Sequence, residues 1–167
     1  MNSMNQACTF TGHRAEKLPW KYDENDSRCL LLKEQISDAV ESVYHSGVHH
    51  FICGMANGCD MYFCEAVMQL RAVHNDITLE AAIPWESQSK GWPEPLRRRY
   101  ARLVSDCDYH TLVQKSYTPD CMMRRNRYMV DHAAVLIAAY GGRPGGTMNT
   151  LLYALRQGLE IIELPVD

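Results

Sequence analysis

A chain of 167 residues, 46% hydrophobic and 22% charged, has the size and balance of one folded domain, not of a disordered or fibrous chain. Its net charge of −3 argues against the broad basic face that non-specific nucleic-acid binding needs, while leaving room for a local basic pocket. No apolar run is long enough to span a membrane, no signal peptide opens the chain, and seven scattered cysteines make neither a CxxC pair nor an even disulfide set, so reduced thiols and a cytoplasmic location are expected.

Ala7–Phe10 reads as a first short strand. Asp23–Ser27 is polar and turn-like, and Asp26 or Ser27 suits a helix cap. Leu32, Ile36, Ala39, Val40 and Val43 recur at helical spacing, and Gly47 ends that helix. Val48–Cys53 is the second strand, followed by a helix from about Cys59 to Val73 that is apolar on most sides and so expected to be well buried. Thr78–Ile83 is the third strand, and Pro84–Pro95 an irregular loop with two tryptophans. Leu96, Tyr100, Leu103 and Val104 give the third helix one apolar stripe and turn Arg97, Arg98 and Arg102 outward. Tyr109–Val113 is the fourth strand, and Pro119 is expected to start the fourth helix. Ala134–Ala139, the most continuous apolar run, reads as a central fifth strand. Thr147–Gln157 is the last helix and Glu160–Leu164 the last strand.

Strict alternation of strand and helix predicts an α/β fold: a mostly parallel sheet of about six strands, helices on both faces, and a single domain over residues 1–167. In such sheets the loops at the carboxyl ends of the strands gather along one edge, where ligands bind.

Three glycine-bearing turns fall at that edge. The third is the strongest phosphate signal. Gly141-Gly142 and Gly145-Gly146 flank Arg143-Pro144, and Thr147 opens a helix whose N-terminus favours an anion. The spacing is neither a P-loop nor GxGxxG. The second turn carries Gly54, Met55, Ala56 and Gly58, with Asp60 just inside the helix. A carboxylate there would repel a phosphate, so Asp60 either accepts from a ribose hydroxyl or buttresses the loop. In the first turn, Gly12 precedes His13 and Arg14. The arginine suits bidentate phosphate contact, and the histidine suits donation to phosphate or acid–base work.

Other residues stand out for burial or chemistry. Glu65 sits among Met61, Cys64, Met68 and Ala72, so its carboxylate is either paired structurally or held with a raised pKa as a catalytic acid. Asn126 shares a stripe with Met122, Met129 and Val130, and one arginine beside it, Arg125 included, is in reach of a pocket. Trp85 and Tyr140 are candidates to contact a base. His49-His50 is a poor metal motif, because adjacent strand residues face opposite ways, and no metal site is expected.

Taken in order, these pieces carry a resemblance. Thr11-Gly12-His13-Arg14 with Lys17-Leu18-Pro19-Trp20, then Gly54-Met55-Ala56 with Gly58, Asp60 and Glu65, then Pro84, Gln88 and Trp92, then Arg125-Asn126, Met129-Val130-Asp131 and Gly146-Thr147, resemble the successive signatures of the YpsA-like family, a bacterial family catalogued as of unknown function. That family lies in the SLOG superfamily with the LOG and DprA/Smf proteins. The resemblance implies a Rossmann-like three-layer α/β/α sandwich and a site for a nucleotide or nucleotide derivative, such as NAD, ADP-ribose or a nucleotide-sugar. It implies a sensor or carrier that needs no cofactor, and it permits a homo-oligomer. Two alternatives stand beside it. One is an N-glycoside or phosphoribohydrolase acting on a nucleoside monophosphate or nucleotide-sugar, with Glu65 or His13 as acid or base. LOG enzymes place a glutamate three residues beyond the Gly-Thr of their motif, and here that position is Thr150. The other is single-stranded DNA binding of the DprA kind, which the net charge disfavours and the Arg97–Arg102 cluster keeps open.

Overall fold

The computed structural model describes residues 6–166. Strands β1 (Ala7–Gly12), β2 (His50–Cys53), β3 (Thr78–Ile83), β4 (Tyr109–Leu112), β5 (Val135–Tyr140) and β6 (Glu160–Pro165) alternate with helices α1 (Ser27–His45), α2 (Cys59–Val73), α3 (Glu94–Asp106), α4 (Cys121–Asp131) and α5 (Gly146–Arg156). A single 3-10 turn, Ala15–Lys17, follows β1. The strands form one sheet in the order β4-β3-β2-β1-β5-β6, every neighbouring pair parallel. This is a Rossmann-like sandwich.

Strand alternation divides the core. Val135, Ile137 and Ala139 of β5 join Phe10, Phe51 and Leu79 under α1, α2 and α3, while Leu136 and Ala138 pack against Val130, Leu151 and Ala154 of α4 and α5. Phe10 stacks on Phe63 of α2 with ring centroids 4.9 Å apart. Each fully buried side chain of this size contributes about 1.5–3 kcal/mol. The apolar stripe of α1 is the one its spacing predicts, and Asp26 caps it by accepting from the Arg28 N–H at 2.9 Å.

Two expectations shift. The fourth helix begins at Cys121, not Pro119. Thr118 donates to the Asp120 carboxylate at 2.7 Å, closing a turn where the first helical turn was expected. Strand β5 is flanked on both sides, but the sheet's midline runs between β1 and β2.

The buried Glu80 of β3 ties α4 to the sheet. Its carboxylate accepts from Tyr128 of α4 and from Thr111 of β4 at 2.8 Å, and meets His50 Nε2 at 2.8 Å. Those partners outweigh desolvation and hold its pKa down at about 2.

Chain order fixes where a ligand can enter. The chain winds outward from β1 to β4, then returns to the far side of β1 as β5. The segments after β1 and β5 therefore leave towards opposite faces and open a crevice between them.

Candidate functional site

The end of β1 is packed hard against α2. A Cβ on Gly12 would lie 2.6 Å from Cys59 Cβ, so only glycine fits. Beyond β2, the chain turns through Met55 at φ +59° and Gly58 at φ +84°. A Cβ on Gly58 would meet the Ala15 nitrogen at 2.6 Å. The two loops are also knitted by hydrogen bonds: Cys59 N–H donates to His13 O at 3.2 Å, and Ala15 N–H donates to Asn57 Oδ1 at 3.0 Å.

Behind this junction lie two buried charges. Asp60, 7% exposed, accepts from the Ala56 N–H through Oδ2 at 3.0 Å. Burial pushes its carboxyl above the usual range, and Arg125 and Arg14 oppose that shift. Arg125 of α4, 4% exposed, donates to Gly54 O, and to Asn126 Oδ1 at 2.8 Å. Burial lowers its pKa. Its guanidinium would lie 2.8 Å from any Cβ on Gly54, which explains that glycine.

The loop after β5 presents the N-terminus of α5. Gly145, at φ +149°, occupies the cap position and no side chain caps the helix. Thr147 is buried in the first turn, and Thr150 donates back to Gly146 O at 3.0 Å. Lys17, from the 3-10 turn after β1, brings its ammonium within 3.8 Å of where a Gly145 Cβ would stand. His13 is half-buried, and burial, Lys17 and Arg143 lower its pKa, in that order of importance.

These parts enclose a cleft of about 870 Å³ at the crevice. Gly12, His13, Arg14, Ala56, Asp60, Arg125 and Asn126 line it, and Gly141, Gly145, Gly146 and Thr147 close the opposite wall. Gly54, Met55 and Gly58 do not line it and act from behind, shaping the turn that places Asp60 and receives Arg125. Gly142, at φ +84°, makes the bend before α5 without facing the cleft. Trp85 packs edge-on against Tyr117 at 5.6 Å, and Tyr140 packs with Leu136 and Ala138, so neither aromatic lines the cleft.

Glu65 is also elsewhere. Arg99 of α3 binds its carboxylate, Arg102 approaches it at 3.9 Å, and Arg99 also holds Glu24 at 3.0 Å. The expected alternative of a structural ion pair describes its surroundings. With Arg98 paired to Glu94, most of the Arg97–Arg102 cluster is engaged in ion pairs on α3. His50 faces Glu80, and among the described residues no group of three His, Cys, Asp or Glu side chains is placed to hold a metal ion.

The sequence pattern assigned no site role to Lys17, Arg143, Met122 and Met129 and did not single out Lys21, yet all five line the cleft. Lys17 lay inside the opening signature and Arg143 between the paired glycines, but only the return of the chain to β5 brings the two segments together.

The comparisons with known proteins agree with this architecture. The Uncharacterized SPbeta prophage-derived protein YoqJ of Bacillus subtilis (strain 168) is 30% identical over 138 residues, covering 75% of this chain and 81% of that protein. A UPF0398 protein of Halalkalibacterium halodurans is 24% identical over 143 residues, 84% of this chain and 75% of that one. Among solved structures, DNA processing protein A from Helicobacter pylori, described for its single-stranded DNA binding mode, superposes with a TM-score of 0.62 at 14% identity. That match covers 96% of this chain and 66% of the other, just under two thirds of its length, and at this identity it shows a shared fold alone. No helix among the described residues is long and apolar enough to cross a membrane. The profile of the YpsA (YspA SLOG) family matches residues 8–160, and the chain belongs to that family.

Proposed function

We propose that the cleft binds an anionic nucleotide derivative, of the NAD, ADP-ribose or nucleotide-sugar class, as a sensor or carrier site. One observation carries this: the Lys17 ammonium sits over the uncapped N-terminus of α5. A helix N-terminus is a positive pole, and an ammonium beside it is a like charge. An anion between them turns that repulsion into two attractions. The wider cleft has the same bias. Arg14, Lys17, Lys21, Arg125 and Arg143 line it against the carboxylates Glu16 and Asp60, five cations to two anions, on a chain of net charge −3. The cleft's volume falls within the range of about 300–1,000 Å³ that small-molecule sites occupy.

Binding is favoured over the hydrolase alternative because Thr150 stands at the glutamate position and its hydroxyl is turned back to the helix, while Glu65 is engaged by Arg99. DNA binding is disfavoured because the arginines of α3 are largely neutralised by carboxylates.

The test is a thermal-shift screen of the purified protein against nucleotides, NAD, ADP-ribose, nucleotide-sugars and a single-stranded oligonucleotide, with mass spectrometry of each mixture. A ligand at a hundredfold excess over its Kd stabilises the fold by about 2.7 kcal/mol. For a domain of this length that is a rise of about 5–10 °C in Tm. Stabilisation by an intact small nucleotide is the expected result. A released base or sugar would replace the reading with a hydrolase, and stabilisation by the oligonucleotide alone would replace it with DNA binding.

A further inference from the structure

We infer that the inner end of the cleft is a subsite for a vicinal diol, the 2′- and 3′-hydroxyls of a ribose, held between Asp60 and Arg125. The inference rests on the nucleotide reading and adds to it a chemical selectivity for ribo- over deoxyribonucleotides.

Two unfilled polar groups define the subsite. Asp60 spends Oδ2 on the Ala56 N–H, and its Oδ1 receives no hydrogen bond from the described residues. Arg125 spends Nη1 on Gly54 O and Nε on Asn126 Oδ1, while the contact of Nη2 is the Met122 sulfur at 3.9 Å, a weak acceptor. Both side chains are more than nine-tenths buried, and both line the cleft. They are close enough for each to feel the other's charge, yet they form no ion pair with one another among the described residues. Arg125 cannot swing across, because Gly54 O and Asn126 hold its fork.

A group placed between them must give a hydrogen bond to Asp60 and take one from Arg125. Phosphate only accepts, and Asp60 repels it. An ammonium only donates, and Arg125 and Arg14 repel it. A hydroxyl does both, and a vicinal diol supplies one hydroxyl for each partner. A guanine edge donates from two adjacent nitrogens and calls for both carboxylate oxygens, of which Oδ2 is already engaged by Ala56. The phosphate then belongs at the other wall, against α5 and Lys17. Burial holds the Asp60 carboxyl above its usual range, and a donated hydroxyl proton relieves that cost.

The experiment is calorimetric titration of ADP, 2′-deoxy-ADP and 3′-deoxy-ADP into the wild-type protein, Asp60→Asn and Thr147→Val. Asparagine retains an acceptor for the Ala56 N–H, so the loop keeps its hydrogen bond. Wild-type protein is expected to bind ADP about tenfold or more tightly than either deoxy form, the worth of one hydrogen bond to a charged group. Asp60→Asn should bring that ratio towards one, whereas Thr147→Val should weaken all three ligands together and preserve it. Equal wild-type affinity for ADP and its deoxy forms would overturn the diol subsite and leave the nucleotide reading standing. Absence of binding by all three, in a protein whose fold is intact by circular dichroism, would overturn both. The wild-type comparison decides the matter even if Asp60→Asn fails to fold.

Discussion

Asp60 is a buried carboxylate that lines the cleft at a cost in stability. Its pKa is raised in the folded state above the ordinary 3.8, so the fold binds its proton more tightly than the unfolded chain does. The sign follows. Its contribution is most favourable below 3.8 and is lost as pH rises through the raised value. Asp60→Asn is therefore expected to raise Tm at neutral pH, with the gain shrinking as pH falls through the raised value and gone below 3.8. A melting series against pH checks it, and a variant less stable than wild type at neutral pH would contradict it. Gly54 makes the opposite case. Gly54→Ala sets a methyl 2.8 Å from the Arg125 guanidinium, backbone on one side and a held side chain on the other. Overpacking of this kind costs about 1–3 kcal/mol, readable by denaturant unfolding, and displaces Arg125 from the cleft.

Among the elements, α4 decides the geometry, because it carries Arg125 and Asn126 on its cleft side and Tyr128 against the sheet. Glu80 anchors that helix. Its pKa falls from 4.5 to about 2 on folding, which corresponds to about 3 kcal/mol of stability above pH 4.5. That contribution drains away as pH drops from 4.5 towards 2. Glu80→Gln should lower neutral-pH stability by a similar amount and flatten the acid limb of the Tm–pH curve. An unchanged acid limb would mean that the carboxylate is not the anchor. Glu65→Gln differs again. It loosens the contact of α2 with α3 by about 1 kcal/mol or less, since the pair is partly solvated, and leaves nucleotide affinity unaltered.

Elements were also the scale at which the sequence was most legible. The sequence located the six strands and the five α-helices of the described residues, helped by the continuous stripes that α1 and α2 bury and by the cover on both faces of β5, and gave no sign of the 3-10 turn Ala15–Lys17. Pro119 misplaced one boundary, since the local hydrogen bond of Thr118 to Asp120 made a turn there. The glycine loops led to Gly12, Asp60 and Thr147 because the turns need glycine locally. Lys17 and Arg143 carried no such local signal as cleft residues, because their meeting depends on the strand order. Trp85 follows β3, two strands from the crevice, and strand alternation turns Tyr140 into the α5 face. Glu65 looked chemical because it lies among apolar residues, and its partner Arg99 sits on a different helix.

For the whole molecule, the strand order creates the crevice, and the crevice gathers positive charge on a chain that is negative overall. On that contrast rests the proposal that the cleft takes an anion. The most direct test is calorimetric titration of ADP-ribose into wild-type protein and into a Lys17→Ala/Arg143→Ala double variant, each at low and raised salt. Saturable wild-type binding that weakens with salt and is lost in the double variant is the result the charge arrangement predicts. Binding of equal strength in both proteins would contradict it, and would move the ligand away from the α5 N-terminus altogether.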